Sequence, residues 1–252
     1  MGFFDLLSPL LAATDQFVAG LLPSYALRVA LWGLVSGVFC MALYARLSNQ
    51  QQLDEVKQRT ASLRQQVNNF DGEYEDLQPL AVQLIKSALH QVRITLMPAV
   101  LASLPVLFLL AFLSNHYNYA PLEAGTAIEL RAEGGELCID PPAQALGGNG
   151  YKVIWPSDGS SVPLSDINGV KVAELPGPAP GNVLHKETWW NLLFANPAGY
   201  IPDNAALELV FVDLPYREII SVGPAWVRSW EILYFTLLIA ASLLVKWLFK
   251  IH

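Results

Sequence analysis

Arg28, Trp32, Ser36 and Cys40 punctuate an otherwise apolar run at four-residue steps. On a helix, that spacing puts them on roughly one face. An arginine inside an apolar helix is a functional candidate by default, because charge is expensive there. Within a turn of the membrane surface it can instead snorkel to headgroups at small cost. The residues alone leave both readings open. Ser103 places a second hydroxyl, and Tyr234 a phenol, in two further apolar runs. None of these side chains forms a nucleophile–base pair, and the chain has no H-E-x-x-H, G-x-S-x-G, C-x-x-C or phosphate-binding glycine loop. His90, His116, His185 and His252 are scattered, and Asp140, Asp158 and Asp166 lie in turn-rich stretches. No covalent catalysis, no metal and no cofactor are therefore expected.

Such polar groups need apolar helices to hold them. Of 252 residues, 53% are hydrophobic and 15% charged, which is the balance of an integral membrane protein with one sizeable soluble part. Residues 25–45, 94–114 and 230–249 are each long enough to span. Tyr25, Trp32, Tyr117, Tyr119, Trp226, Trp230 and Tyr234 mark one interface, and Tyr44 and Trp247 the other. Trp226, Trp230 and Tyr234 share a face and are expected in an aromatic belt, where Glu231 is expected to be solvated, with pairing to Arg228 or Arg28 as the alternative. Gly33 with Gly37, and Ala99 with Ser103, are small pairs suited to close helix packing. Pro98 and Pro105 are expected to kink the second span.

Orientation follows from lysine and arginine. Nothing basic precedes Arg28, whereas Arg46, Lys57, Arg59, Arg64, Lys86 and Arg93 crowd the first loop and Lys246 and Lys250 the tail. This puts the N-terminus outside and the first loop and C-terminus in the cytoplasm. The net charge of −7 comes mostly from the outer loop, and no basic stripe points to nucleic acid. Cys40 and Cys138 are too far apart in this topology to pair, so the outer part is expected to rely on its own core. Residues 1–23 lack a basic n-region and carry Asp5 and Asp15, a poor match to a signal peptide. Phe3, Leu7, Leu10, Phe17 and Leu21 recur at helical spacing instead, as in an amphipathic helix lying on the outer surface.

Between the first two spans the chain turns polar over residues 46–93. Leu53, Val56, Thr60, Leu63, Val67 and Phe70 repeat at alternating steps of three and four, the seam of a coiled coil. Gly72 breaks the helix, and Leu77, Leu80, Leu84, Ala88 and Leu89 supply a second run. Two arms of this kind can pair antiparallel into a hairpin about 36 Å tall; a dimerising coiled coil is the other possibility. Residues 118–206 change character again. "TAIELRA", "ELCI", "YKVIWP", "GVKVAEL" and "ALELVFV" read as strands of a small β-sandwich or barrel, separated by "DPPAQALGGNG", "PSDGSS" and "PGPAPGN". Trp189, Trp190, Leu193 and Phe194 cluster in sequence, either as a surface segment on the membrane or as a plug of the β-core.

Several stretches carry a resemblance. "HQVRITLMPAVLASLPVLFLLAFL" (90–113), "FVDLPY" (211–216, with Leu214, Pro215 and Tyr216 in a connector over 207–225) and "WEILYFTLLIAASLLVKWLF" (230–249) resemble the YidC/Oxa/Alb membrane insertase superfamily. The likeness is to its three-span branch, the archaeal YidC-like proteins and the insertase subunit of the endoplasmic-reticulum membrane complex. The insertion at 118–206 and an arm with six acidic against six basic residues depart from that pattern. The resemblance implies an α-helical membrane protein of three transmembrane helices with a cytoplasmic antiparallel coiled-coil hairpin and an inserted extracytoplasmic β-rich domain. It further implies a non-catalytic insertase and chaperone of a prokaryotic plasma (inner) membrane. Its groove would be lined by Arg28, Trp32, Ser36, Cys40, Ser103 and Tyr234. Its partners would be the lipid bilayer, newly made membrane-protein clients, and ribosomal or other translocation components at the coiled coil. A membrane scaffold, binding partners through the coiled coil and the outer domain, is the alternative.

Overall fold

Long apolar runs without backbone partners in lipid must satisfy their own hydrogen bonds, and three helices here are long and apolar enough to cross a membrane. The computed structural model describes residues 2–139, 143–156, 160–175, 181–193 and 199–251, so Asp140, Asp158, Phe194 and His252 lie outside the described residues. A 3-10 turn (Phe3–Leu7) leads into α1 (Ser8–Leu21). Then follow α2 (Tyr25–Leu47), α3 (Gln50–Asn68) and α4 (Tyr74–Tyr117). Among the described residues, nine short strands precede the last helix, α5 (Trp230–Phe249). The chain divides into two compact units: Met1–Arg28 with Leu107–Ile232, and Val29–Val106 with Leu233–His252.

In the second unit, α2 packs on α5 through its glycines. A Cβ on Gly33 would stand 2.8 Å from the Tyr234 carbonyl oxygen, and one on Gly37 only 2.5 Å from that of Leu238. The two backbones approach too closely for any larger residue at either position. Ala99, expected in a similar contact, is exposed, whereas Ala102 of the same helix is buried.

Asn49 starts α3 by accepting the Gln52 N–H on its side-chain oxygen at 3.1 Å. On α3, Leu53, Thr60 and Leu63 are buried and Val56 and Val67 half-buried, as is Phe70 just past its end. The face runs against α4 in reverse order: Leu53 lies near Arg93, Ile94 and Met97, Thr60 hydrogen-bonds Ser87 at 2.8 Å, and Phe70 lies near Leu80. Within α4 the face carries Leu77, Leu80, Leu84, Ser87 and Gln91. Leu89, expected there, points away and is 64% exposed. The helix α4 continues unbroken through Pro79, Pro98 and Pro105. Its 44 residues reach roughly 66 Å, about twice a bilayer's hydrocarbon core, so much of it stands outside the membrane.

The first unit holds the β-rich region. Strands β1 (Ala127–Glu133), β3 (Gln144–Gly147), β4 (Gly150–Ile154), β7 (Val183–Lys186), β8 (Tyr200–Ile201) and β9 (Leu209–Val212) form one sheet in the order β3-β4-β1-β9-β7-β8. Strands β2 (Leu137–Ile139), β5 (Val162–Asp166) and β6 (Lys171–Leu175) form a second, in the order β2-β5-β6. Side chains of both sheets, among them Leu130, Leu164, Leu175, Leu184 and Val210, meet in one core around Trp155. The five strands expected from sequence are β1, β2, β4, β6 and β9; four others lacked a pattern. "DPPAQALGGNG" contains β3, whose residues are all exposed and so show no alternation. Its turn at Gly148 and Asn149, both with φ of 59°, is the kind that joins tight hairpins. Pro163 hides β5, although Val162, Leu164 and Asp166 alternate inward. β7 and β8 are too short for a periodicity to show. Because β9 lies between β1 and β7, the sheet extends past residue 206 into the stretch read as connector.

Asp166 ties this region together. It is 1% exposed; its Oδ1 accepts the N–H groups of Asn168 and Val170 at 2.9 Å, and its Oδ2 that of Ala206 at 3.3 Å. Burial alone would raise its pKa, but the hydrogen bonds from Val170, Ala206 and Asn168 prevail and hold it below the ordinary aspartate value. A depressed folded-state pKa gives stability that is present above the unfolded value, about 4, and lost as pH falls through the folded one. Thermal unfolding of the full chain in detergent, followed by tryptophan fluorescence, should therefore weaken below about pH 4. Asp166→Asn should lower the midpoint at neutral pH and flatten the acid slope; identical acid profiles for both proteins would contradict this role.

Candidate functional site

The expensive charge of the first apolar helix is matched by a residue thirteen positions earlier. Arg28 is 8% exposed, and its Nη1 donates to Asp15 Oδ2 at 3.1 Å. Asp15 Oδ1 accepts the Tyr117 hydroxyl at 2.5 Å. The Arg28 guanidinium also lies 4.5 Å from the centroid of Tyr25 and 5.5 Å from that of Tyr117, where the ring faces attract a cation. Arg217 stands 4.1 Å from the Tyr25 ring and donates from Nη1 to the His116 carbonyl at 3.3 Å. Arg28 Nε has no acceptor among the described residues. Side chains from α1, the start of α2, the end of α4 and the stretch after β9 thus converge on one buried ion pair, all within the first unit.

Each element brings its residue there for a reason. The apolar stripe of the amphipathic start, Phe3, Leu7, Leu10, Phe17 and Leu21, is exposed, and Asp15 lies on the buried side. Tyr25 and Arg28 are one turn apart on α2, and Tyr117 is the last residue of α4. Arg28 is therefore paired within the protein. Asp15 and Tyr117 were not singled out from sequence as its partners, nor Arg217 as a second cation on Tyr25. The signal was an acid off the apolar stripe of α1, thirteen residues before a lone arginine in the first apolar run.

The remaining expected residues separate into different environments. Ser36 is buried; its Oγ donates to the Trp32 carbonyl at 2.7 Å and accepts the hydroxyl of the fully buried Tyr234 at 3.0 Å. Trp32 and Cys40 are half-buried, and Cys40 is a free thiol. Ser103 directs its hydroxyl to the Val100 carbonyl of its own helix at 2.8 Å. Of the expected aromatic belt, Trp226 is exposed while Trp230 and Tyr234 are buried. Neither proposed partner takes Glu231, since Arg28 pairs with Asp15 and Arg228 with Glu218 at 2.9 Å.

The Leu-Pro-aromatic element is built into the edge of the β-rich region. Leu214 is buried, the Pro215 carbonyl accepts the Ala120 N–H at 2.9 Å, and the Tyr216 ring lies 5.2 Å from that of Tyr119. Burial first, and then the neighbouring Tyr216, push the Tyr119 hydroxyl up to about 12. A cleft of about 510 Å³ opens beside them, with Glu129, Glu133 and Asp213 around Arg131 and Phe211. Among the described residues, no group of three or more His, Cys, Asp or Glu side chains is placed to hold a metal ion. Compared with family models, curated proteins and solved structures, the chain matches none.

Removing one partner of a buried pair costs more than removing both, because a bare charge remains. Asp15→Asn should destabilise the full chain in lipid nanodiscs by about 3–5 kcal/mol, and Asp15→Asn with Arg28→Gln by clearly less. Equal losses for the single and the double variant, measured by chemical unfolding, would show that the pair is not what holds this site.

Proposed function

We propose that this protein is a membrane insertase and chaperone of the YidC/Oxa/Alb type, easing the transfer of short hydrophilic client segments across the bilayer. One observation carries the reading. The face of α4 turned away from α3 exposes Val82, Ile85, Leu89, Val92 and Leu96, again at alternating steps of three and four. That is the spacing by which a helix receives another helix. The stripe continues with exposed Val100 and Leu104 into the part of α4 apolar enough to span. A hydrophobic segment lying on it would therefore keep apolar contact from the aqueous arm to lipid. Exposed apolar surface of this kind on an otherwise polar arm marks an interaction site.

In this reading the hairpin of α3 and the first half of α4 is a coiled coil in the cytoplasm, between spans one and two, where the family places its own. The lysine and arginine distribution supports that side, with the N-terminus and the β-rich region outside and the C-terminus inside, in a prokaryotic inner membrane. Ser36 and Tyr234, buried and hydrogen-bonded to each other, would have to part to meet a passing segment; Arg28 contributes by holding the outer ends of the helices. No covalent step is involved. The gain comes from sparing polar groups an unsatisfied passage through hydrocarbon, at several kcal/mol for each.

A single-span reporter with a short outer tail, mixed with liposomes with or without the purified protein, tests this through protease protection of the tail. Protection should rise with the protein. It should fall when residues 49–94 are replaced by a short linker, and also with Ile85→Ser and Leu89→Ser together. Unchanged protection for several reporters would overturn the insertase and favour the scaffold.

A further inference from the structure

The Trp189–Leu193 stretch lies on the surface, where it does not plug the β-core. Trp189 is 63% and Trp190 56% exposed, with their ring centroids 3.6 Å apart, and Leu193 is exposed beside them. This exposure is held in place. The Asn191 side chain donates to the Lys186 carbonyl at 2.8 Å, and the Tyr200 hydroxyl to the Asn191 carbonyl at 2.9 Å. The stretch contains no charged residue.

Its neighbour gives its depth. The 3-10 turn at Asn191–Leu193 packs against the one at Phe3–Leu7. In that N-terminal turn, the Phe3 and Phe4 rings each lie 5.3 Å from Phe108. Phe108 is nine residues inside the end of α4, about 13 Å along the helix axis and within its apolar part. The N-terminal turn is therefore at membrane depth. Its one acid, Asp5, is buried and accepts from the Gly2 N–H and the Ser8 hydroxyl, both at 3.3 Å, so no bare charge opposes that position. The exposed Phe3, Leu6 and Leu10 continue this apolar surface along α1, whose last residue precedes the first span by only three.

We infer that Trp189, Trp190 and Leu193 anchor the β-rich region in the adjacent membrane leaflet, forming one lipid-binding surface with Phe3, Leu6 and Leu10. Lipid is the occupant because the surface is continuous, through Phe108, with a helix that spans the bilayer. Paired tryptophans suit that place, since indole combines a large apolar ring with one N–H for the headgroup region. The anchor is independent of the proposed function.

The test uses the full chain in lipid nanodiscs, with Cys40→Ser and Cys138→Ser as background. An environment-sensitive fluorophore is placed by Trp190→Cys or, separately, Trp189→Cys, with Gln66→Cys on α3 as the aqueous standard. At both tryptophan positions the label should emit at shorter wavelength than at 66, lose fluorescence to acyl-chain-brominated lipids, and resist iodide. Iodide quenching equal to that at 66 would overturn the anchor by showing a water-facing surface. Shielding from both quenchers would equally overturn it, by placing protein, such as a second copy, on this face.

Discussion

A guanidinium one turn inside an apolar helix has to be neutralised, and how Arg28 meets that demand sets the arrangement around it. Its counter-charge comes from Asp15, on a helix that otherwise shows its apolar stripe outward. Asp15 in turn takes the hydroxyl of Tyr117, so the end of α4 joins the same pair. Tyr25 lies under Arg28 and is also approached by Arg217, which brings in the chain after β9. A charge of this kind costs about 2.5–3.5 kcal/mol at a helix centre on insertion scales. The cluster replaces that cost with an ion pair, a hydrogen bond and ring contacts, and four chain segments are held in the process.

Farther along α2, shape takes over from charge. Gly33 and Gly37 admit the backbone of α5, and two polar links described there, the Tyr234 hydroxyl to Ser36 and the Ser242 hydroxyl to the Gly37 carbonyl, leave the packed face otherwise apolar or small. The helix α4 has a different task, with apolar residues on two sides of one rod. One side closes on α3 through Thr60 and Ser87; the other remains open from Val82 to Leu104. A coiled coil needs only the first of these. The proposed function rests on the second.

The sequence was most legible where a period or a composition imposed itself. Runs of apolar residues announced the three long helices, and the alternating steps from Leu53 to Phe70 announced the buried face of α3. It was less legible where position depends on distant partners. Leu89 has the right chemistry for the inner face of α4 but the wrong phase, because the face passes through Ser87 and Gln91. The strands β3 and β5 were masked by an edge position and by Pro163. Trp230 and Tyr234 carry the signature of an interfacial belt, yet they are buried. The Asp15–Arg28 pair was present as two unusual residues with no periodicity joining them. A bridge between α1 and α2 is a tertiary fact that no local pattern encodes.

Amide hydrogen exchange of the full chain in lipid nanodiscs tests the cluster most directly, with Tyr117→Phe beside the native protein. The change removes one hydroxyl and keeps the ring, so lipid cover of α1 is the same in both. If the pair and its phenol hold the helix, amides of Ser8–Leu21 are protected in the native protein and exchange faster in the variant, while the strands around Trp155 are unaffected. Fast exchange across α1 in the native protein, or equal protection in the two, would contradict the claim that this buried charge organises the ends of the helices.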